Sequence, residues 1–270
     1  MTRTALIAGH GALPDALVAA MHPRPLICAL HGFTPDHMAV DQEFRIERLA
    51  IFLQWLADQD VSHVVFAGAV QRPRLDPSLM DPHSAQILPP LMAAFQAGDD
   101  ATLRAVVSLF EDAGLTVVGV AEIAPALVPG PGMLTGQATA ADDRDAARAA
   151  AIVQALGGVD VGQGAVVQQG LCLAVEVLAG SDTMLESVAL LPADLRPDAD
   201  RGKGVYYKAP KPRQDRRIDL PTLGLQTVQR AAAAGLAGIA WEAGGVICLD
   251  LPAMIAAAKD AGLFLWSRSP

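Results

Sequence analysis

Ala5-Leu-Ile-Ala-Gly-His-Gly-Ala-Leu-Pro14 reads as a short apolar strand that turns on two glycines into a helix over residues 12–21. The same alternation continues outward from it. Leu26-Ile-Cys-Ala-Leu30, Val61 to Ala67 and Leu115 to Val120 are apolar runs of strand length. Segments 42–58, 86–96 and 99–113 carry helical patterns between them. Strands alternating with helices predict a parallel sheet covered on both faces, so residues 1–128 are expected to form an open, doubly wound, Rossmann-like domain. Five Pro and Gly residues between Pro125 and Gly132 then predict a linker, placed at 129–136. Residues 137–270 are expected to form a mixed α/β domain. Its helices are predicted over 142–156, 181–190, 222–234 and 252–261. A hairpin is predicted around Gln169-Gly170, with strands at 204–208, 238–241 and 246–249. Asp142, Asp143 and Asp145 fall near a helix start, where carboxylates complement the helix dipole.

Of 270 residues, 52% are apolar and 18% charged, which excludes a disordered chain. The net charge of −9 argues against a nucleic-acid partner. Cys28, Cys172 and Cys248 are too few and too scattered for a disulfide framework or a zinc site and suit a reducing cytoplasm. The longest apolar run, Ala231 to Trp241, is short of the roughly 20 residues that span a bilayer. A cytoplasmic protein is expected, with peripheral contact at the inner membrane and a homodimer both left open. All six histidines lie within the first 83 residues, so chemistry in the second half must use carboxylates, lysines or arginines.

The turn Gly9, His10, Gly11, Ala12 and Leu13 lets a ligand approach the backbone at a helix start, or is a simple tight turn. Pro14 replaces the third glycine of a dinucleotide fingerprint, which disfavours a nicotinamide oxidoreductase. Arg72, after the third predicted strand, would sit at the carboxyl edge of the sheet, where open α/β folds bind ligands. Asp99 is an N-cap candidate, and Asp100 beside it could bond ribose hydroxyls or face a metal. Arg201, Lys203, Lys208, Lys211, Arg213, Arg216 and Arg217 form a basic island opposed locally only by Asp215, which points to an anionic ligand or a solvated loop. Pro210 and Pro212 stiffen it. Asp219 is a lone carboxylate next to this island, placed to hold an ion, orient a water or cap a turn. Gln163 and Glu176 add polar groups to apolar strands, with ordinary edge chemistry as the alternative.

Several motifs together resemble one family. They are Pro82-His-Ser-Ala-Gln-Ile-Leu-Pro-Pro90, Gly98-Asp-Asp-Ala-Thr-Leu-Arg104, Glu122, Asp160-Val-Gly-Gln-Gly-Ala-Val-Val167, Leu173-Ala-Val-Glu176 and Gly180-Ser-Asp-Thr-Met-Leu185. The strongest are Lys208-Ala-Pro-Lys-Pro212, Arg217-Ile-Asp-Leu-Pro-Thr-Leu-Gly224 and Ala234-Gly-Leu-Ala-Gly-Ile239. The combination resembles the UDP-2,3-diacylglucosamine pyrophosphatases of lipid A biosynthesis, in the form unrelated to the metallophosphoesterases. His10 departs from the small residue frequent in that family's opening turn. The resemblance implies two domains and hydrolysis of UDP-2,3-diacylglucosamine to UMP and 2,3-diacylglucosamine 1-phosphate. Water would attack the sugar-side phosphorus with Mg2+ or another divalent cation as cofactor. It also makes Asp219 the critical carboxylate, expected to bind the metal or orient the attacking water. On their own chemistry, Lys208 and Lys211 are the groups suited to stabilise phosphate charge. Candidate substrate-binding residues are Gly9, Gly11, Ala12, Leu13, Arg72, Asp99, Asp100, Glu122, Gln163, Glu176, Asp182, Thr183 and Thr222. A non-catalytic nucleotide-sugar or lipid-phosphate binding protein is the alternative.

Overall fold

The computed structural model describes residues 3–71 and 73–269, apart from the side chains of Ala97 and Asp99. The chain divides into two units: Met1–Pro125 with Asp215–Asp219, and Ala126–Gln214 with Leu220–Pro270.

Unit 1 runs β1 (Arg3–Ala8), α1 (Leu13–Ala20), β2 (Leu26–Leu30), β3 (Gln42–Phe44), α2 (Leu49–Asp58), β4 (Val61–Ala67), α3 (Pro82–Ile87), α4 (Pro89–Ala97), α5 (Asp99–Asp112), β5 (Thr116–Val117) and α6 (Val120–Ile123). Its sheet has the order β3-β2-β1-β4-β5, every pair parallel, with Ala5 opposite both Leu26 and Val64. Strand order reverses between β1 and β4, which is the switch point of a doubly wound sheet. The central strands are buried along most of their length, as a sheet covered on both faces requires. Phe52, Leu56 and Phe110 from the helices close over Ala5, Val64 and Val117. Phe44 stacks on Phe52 with ring centroids 4.0 Å apart. Ile218, from the distant segment 215–219, joins this cluster.

Unit 2 runs β6 (Gly132–Thr135), α7 (Ala140–Gly158), β7 (Gly164–Gln168), β8 (Leu171–Val175), α8 (Gly180–Ala189), β9 (Val205–Lys208), β10 (Thr222–Leu223), α9 (Leu225–Ala233), β11 (Gly238–Glu242), β12 (Ile247–Cys248), α10 (Leu251–Asp260) and β13 (Phe264–Arg268). Its main sheet is mixed, in the order β6-β13-β11-β9-β7-β8, with β9, β11 and β13 parallel and the rest antiparallel to their neighbours. One face buries Tyr206, Ile239 and Trp241 under α8, α9 and α10. The other buries Ala165, Val205 and Ala240 under α7. Thr139 and Asp142 form a reciprocal capping box at the start of α7. Asp145, one turn on, accepts the amides of Gln169 and Gly170 at 2.8 Å each, and so fixes the β7–β8 turn from outside. Both turn residues have positive φ, as a tight hairpin demands.

The structure corrects several boundaries. Segment 42–58 opens as a strand, β3, because Gln42–Phe44 pairs with β2 before the helix begins. Segment 86–96 is split: Pro89 and Pro90 have no N–H to continue α3, and they start α4 instead. Only Thr116–Val117 of Leu115–Val120 is strand, since Val120 begins α6. Segment 222–234 gives Thr222 and Leu223 to β10 before α9 starts. Segment 129–136 contains β6, an edge strand on β13, and the Pro129 carbonyl accepts the Gly244 amide and the Ser267 hydroxyl. Residues 215–219, from the stretch assigned to the second domain, cluster with unit 1. No helix among the described residues is long and apolar enough to cross a membrane.

Candidate functional site

In unit 1 the carboxyl ends of β1 and β4 lead into two loops that touch. His10 and Ala69 exchange backbone hydrogen bonds of 3.0 and 2.8 Å, and the Gly9 amide donates to the Ala67 carbonyl at 2.8 Å. Gly68, at φ +94°, leaves no room for a Cβ, which would lie 2.7 Å from the Gly9 carbonyl carbon. Gly11, Ala12 and Leu13 carry the chain into α1. The Gly11 amide is already engaged: Asp36 accepts it at 2.8 Å and contacts His10 Nδ1 at 3.0 Å. These bonds, the Gly11 amide first, hold the Asp36 carboxyl below its usual range. Asp36 was not reached from the sequence, because it contacts the turn across a separation of 25 residues that includes α1 and β2.

Gly119 follows β5 and therefore lies at the same carboxyl edge of the sheet. Glu122 accepts the Gly119 amide at 2.9 Å and caps α6. The 215–219 segment packs here: a Cβ on Gly119 would stand 3.2 Å from Arg217 Cα. Arg217 pairs with Asp215 and Glu111, both at 2.7 Å, and this brings half-buried Asp219 into unit 1. The hydrogen bonds from Arg217 hold Asp215 below the usual carboxylate range. Asp100 lies in the first turn of α5, whose N-cap is Gly98 rather than Asp99. Arg72 and the Asp99 side chain lie outside the described residues.

In unit 2, Lys208 ends β9 almost wholly buried. Its ammonium donates to Ser181 Oγ at 2.6 Å and stands 3.6 Å from Glu176 Oε2, and Ser181 donates to Glu176 at 2.7 Å. The Tyr206 hydroxyl is buried beside them. Burial pushes Lys208 toward the neutral amine, Tyr206 and Glu176 push the other way, and the balance is upward. Burial also raises Tyr206, so the phenol is neutral near pH 7 and Glu176 supplies the opposing charge. Gly164 sits opposite Lys208 on β7, and a Cβ there would meet Glu176 Oε2 at 2.7 Å and the Tyr206 ring at 2.9 Å. Gln163 accepts the Ala209 amide through its carbonyl.

The other unit 2 candidates spread around this group. Lys211 pairs with Asp160, and its amide donates to Gln214 at 2.8 Å. Asp182 and Thr183 lie in the first turn of α8, where Asp182 pairs with Arg230 at 3.2 Å. Thr222 opens β10 and faces Ile247 in register. The basic island is thus divided between the units. Lys208, Lys211 and Arg217 each meet a carboxylate from far along the chain, namely Glu176, Asp160 and Glu111. Ser181 was missed, though Gly164 inside a strand pattern is the signal of a close approach that could have exposed the cluster.

Two family models match the chain, the LpxI N-terminal domain over residues 3–127 and the LpxI C-terminal domain over residues 130–266. The chain is 39% identical over 277 aligned positions to a UDP-2,3-diacylglucosamine pyrophosphatase LpxI of Caulobacter vibrioides, covering 100% of this chain and 99% of that relative. Matches to both domain models, in order and over nearly every residue, place this chain in the LpxI family.

Proposed function

We propose that this protein hydrolyses the pyrophosphate of UDP-2,3-diacylglucosamine, releasing UMP and 2,3-diacylglucosamine 1-phosphate. The observation that carries the reading is the end-to-end match to a relative bearing that activity in its name. In the proposed step a water oxygen bonds to the sugar-side phosphorus, the bridging P–O bond breaks toward UMP, and the water protons pass to solvent or a nearby carboxylate. Lys208, at the end of β9, and Lys211, on the proline-stiffened loop that follows, stabilise charge on the phosphates. Asp219 holds a metal ion or orients the water, and the Gly9–Leu13 turn meets the nucleotide.

The described residues contain no group of three or more His, Cys, Asp or Glu side chains suited to a metal. A single carboxylate fits Mg2+ that draws its remaining ligands from phosphate and water, so Asp219 is the protein donor in this reading. When bound, Mg2+ would supply charge neutralisation on the pyrophosphate oxygens. The proposed setting is the cytoplasm, with peripheral contact at the inner membrane where a diacylated substrate resides.

Phosphorus NMR of the protein with UDP-2,3-diacylglucosamine, first with Mg2+ and then with excess EDTA, tests the reaction. UMP and the lipid 1-phosphate should appear only with Mg2+. Substrate signals that broaden without cleavage would show a binding protein instead. Asp219→Ala should lower turnover by about 10²–10³-fold, the loss typical of one preorganised charge-stabilising group, while substrate still binds. Turnover at the parent rate would remove Asp219 from the mechanism.

A further inference from the structure

Lys208 lies at the end of a central strand with its side chain 9% exposed. An ammonium so placed keeps its charge only if the fold supplies a partner, and the fold supplies one. Glu176 follows β8, Ser181 is the second residue of α8, and the hydroxyl bridges carboxylate and ammonium at 2.7 and 2.6 Å. The absence of a side chain at Gly164 leaves the carboxylate its space. A carboxylate in this position repels a pyrophosphate, so it is badly suited to touch the substrate's phosphates and well suited to hold the lysine.

We infer that Glu176 and Ser181 are positioning residues that keep Lys208 charged and aimed for the substrate, not groups that contact it. The inference rests on the role given to Lys208 under the proposed function. The groups facing the ammonium are known from each neighbouring element. Tyr206 comes from β9, and Glu176 follows β8. Asp182 on α8 is turned to Arg230, and Glu242 at the end of β11 acts on Tyr207. Among these described residues, Glu176 is the carboxylate that pairs with the ammonium. Without it, burial drives Lys208 toward the neutral amine, and the cation is lost at lower pH than in the parent.

Steady-state kinetics of the full chain on UDP-2,3-diacylglucosamine across pH test this, with circular dichroism and melting curves confirming the fold of each variant. E176Q should lower kcat about 10–100-fold, the loss usual for partners that orient a charged centre. Its alkaline limb should move to lower pH, with KM nearly unchanged. S181A should lower kcat in the same manner, and S181T, which keeps the hydroxyl, should restore it. An E176Q profile that superposes on the parent, or a loss confined to KM, would overturn the inference. K208M separates the two readings. If it is inactive while E176Q and S181A match the parent, the positioning role alone fails. If it turns over at the parent rate, the role of Lys208 fails and the inference fails with it.

Discussion

Gly68→Ala is expected to destabilise unit 1 by about 2–5 kcal/mol, with two separable contributions. Gly68 holds φ +94° at the end of β4, where an L residue costs about 1–2 kcal/mol. Its added Cβ would stand 2.7 Å from the Gly9 carbonyl carbon and 2.8 Å from the carbonyl oxygens of Gly9 and His10. These are backbone atoms in the bridge between the two loops, so no rotamer change relieves the contact. Forcing packed groups apart costs about 1–3 kcal/mol more. The total is a large share of the stability of an ordinary domain. By calorimetry, the transition that unfolds unit 1 should drop by roughly 10 °C. Gly158→Ala is the control. It ends α7 with nothing within 4 Å of the added Cβ, so it should be neutral or stabilising by up to about 1 kcal/mol. A G68A protein melting within about 2 °C of the parent would refute the claim that the two loops are rigidly crossed.

Asp145→Asn should destabilise unit 2 by about 1–3 kcal/mol in urea unfolding, because one amide oxygen cannot replace two carboxylate oxygens for Gln169 and Gly170. Iodoacetamide at pH 8 should modify exposed Cys172 in the native protein, while Cys28 and Cys248, both pushed up to about 12 chiefly by burial, react only after unfolding; peptide mapping reads the result. Asp215 is more acidic in the folded chain than unfolded, so its contribution is full above the ordinary carboxylate range and is lost as pH falls through the depressed folded value. Asp215→Asn should therefore flatten the acid limb of stability against pH, and an unchanged limb would show that other groups set it.

Much of the fold was legible from local pattern. The β1 turn into α1, the buried parallel strands and the β7–β8 hairpin all announce themselves within a dozen residues. What escaped was set by partners far away. β3 exists because it pairs with β2 and has no strong pattern of its own, whereas β13 follows Gly262 within the apolar run Leu263–Trp266, a local signal that was missed. The site divides in the same way. Lys208 and Glu176 stood out as charged residues in particular contexts and Glu122 only through the family resemblance, but whether each faces a ligand or another side chain depends on separations such as the 27 residues from Ser181 to Lys208. The basic island was visible as composition, and its neutralisation by Glu111, Asp160 and Glu176 was not.

The chain leaves unit 1 after Pro125 and returns only for Asp215–Asp219. Ile218 and the Arg217–Glu111 pair are thus missing from any nascent chain that stops short of them. Translation at about 5–20 residues per second leaves the first unit unfinished for roughly 5–20 s after Pro125 is made. During that interval its carboxyl edge lacks the segment that carries Asp219. A gene split between the two units would deliver the first half without it, and that edge would then be completed only by association with the second half.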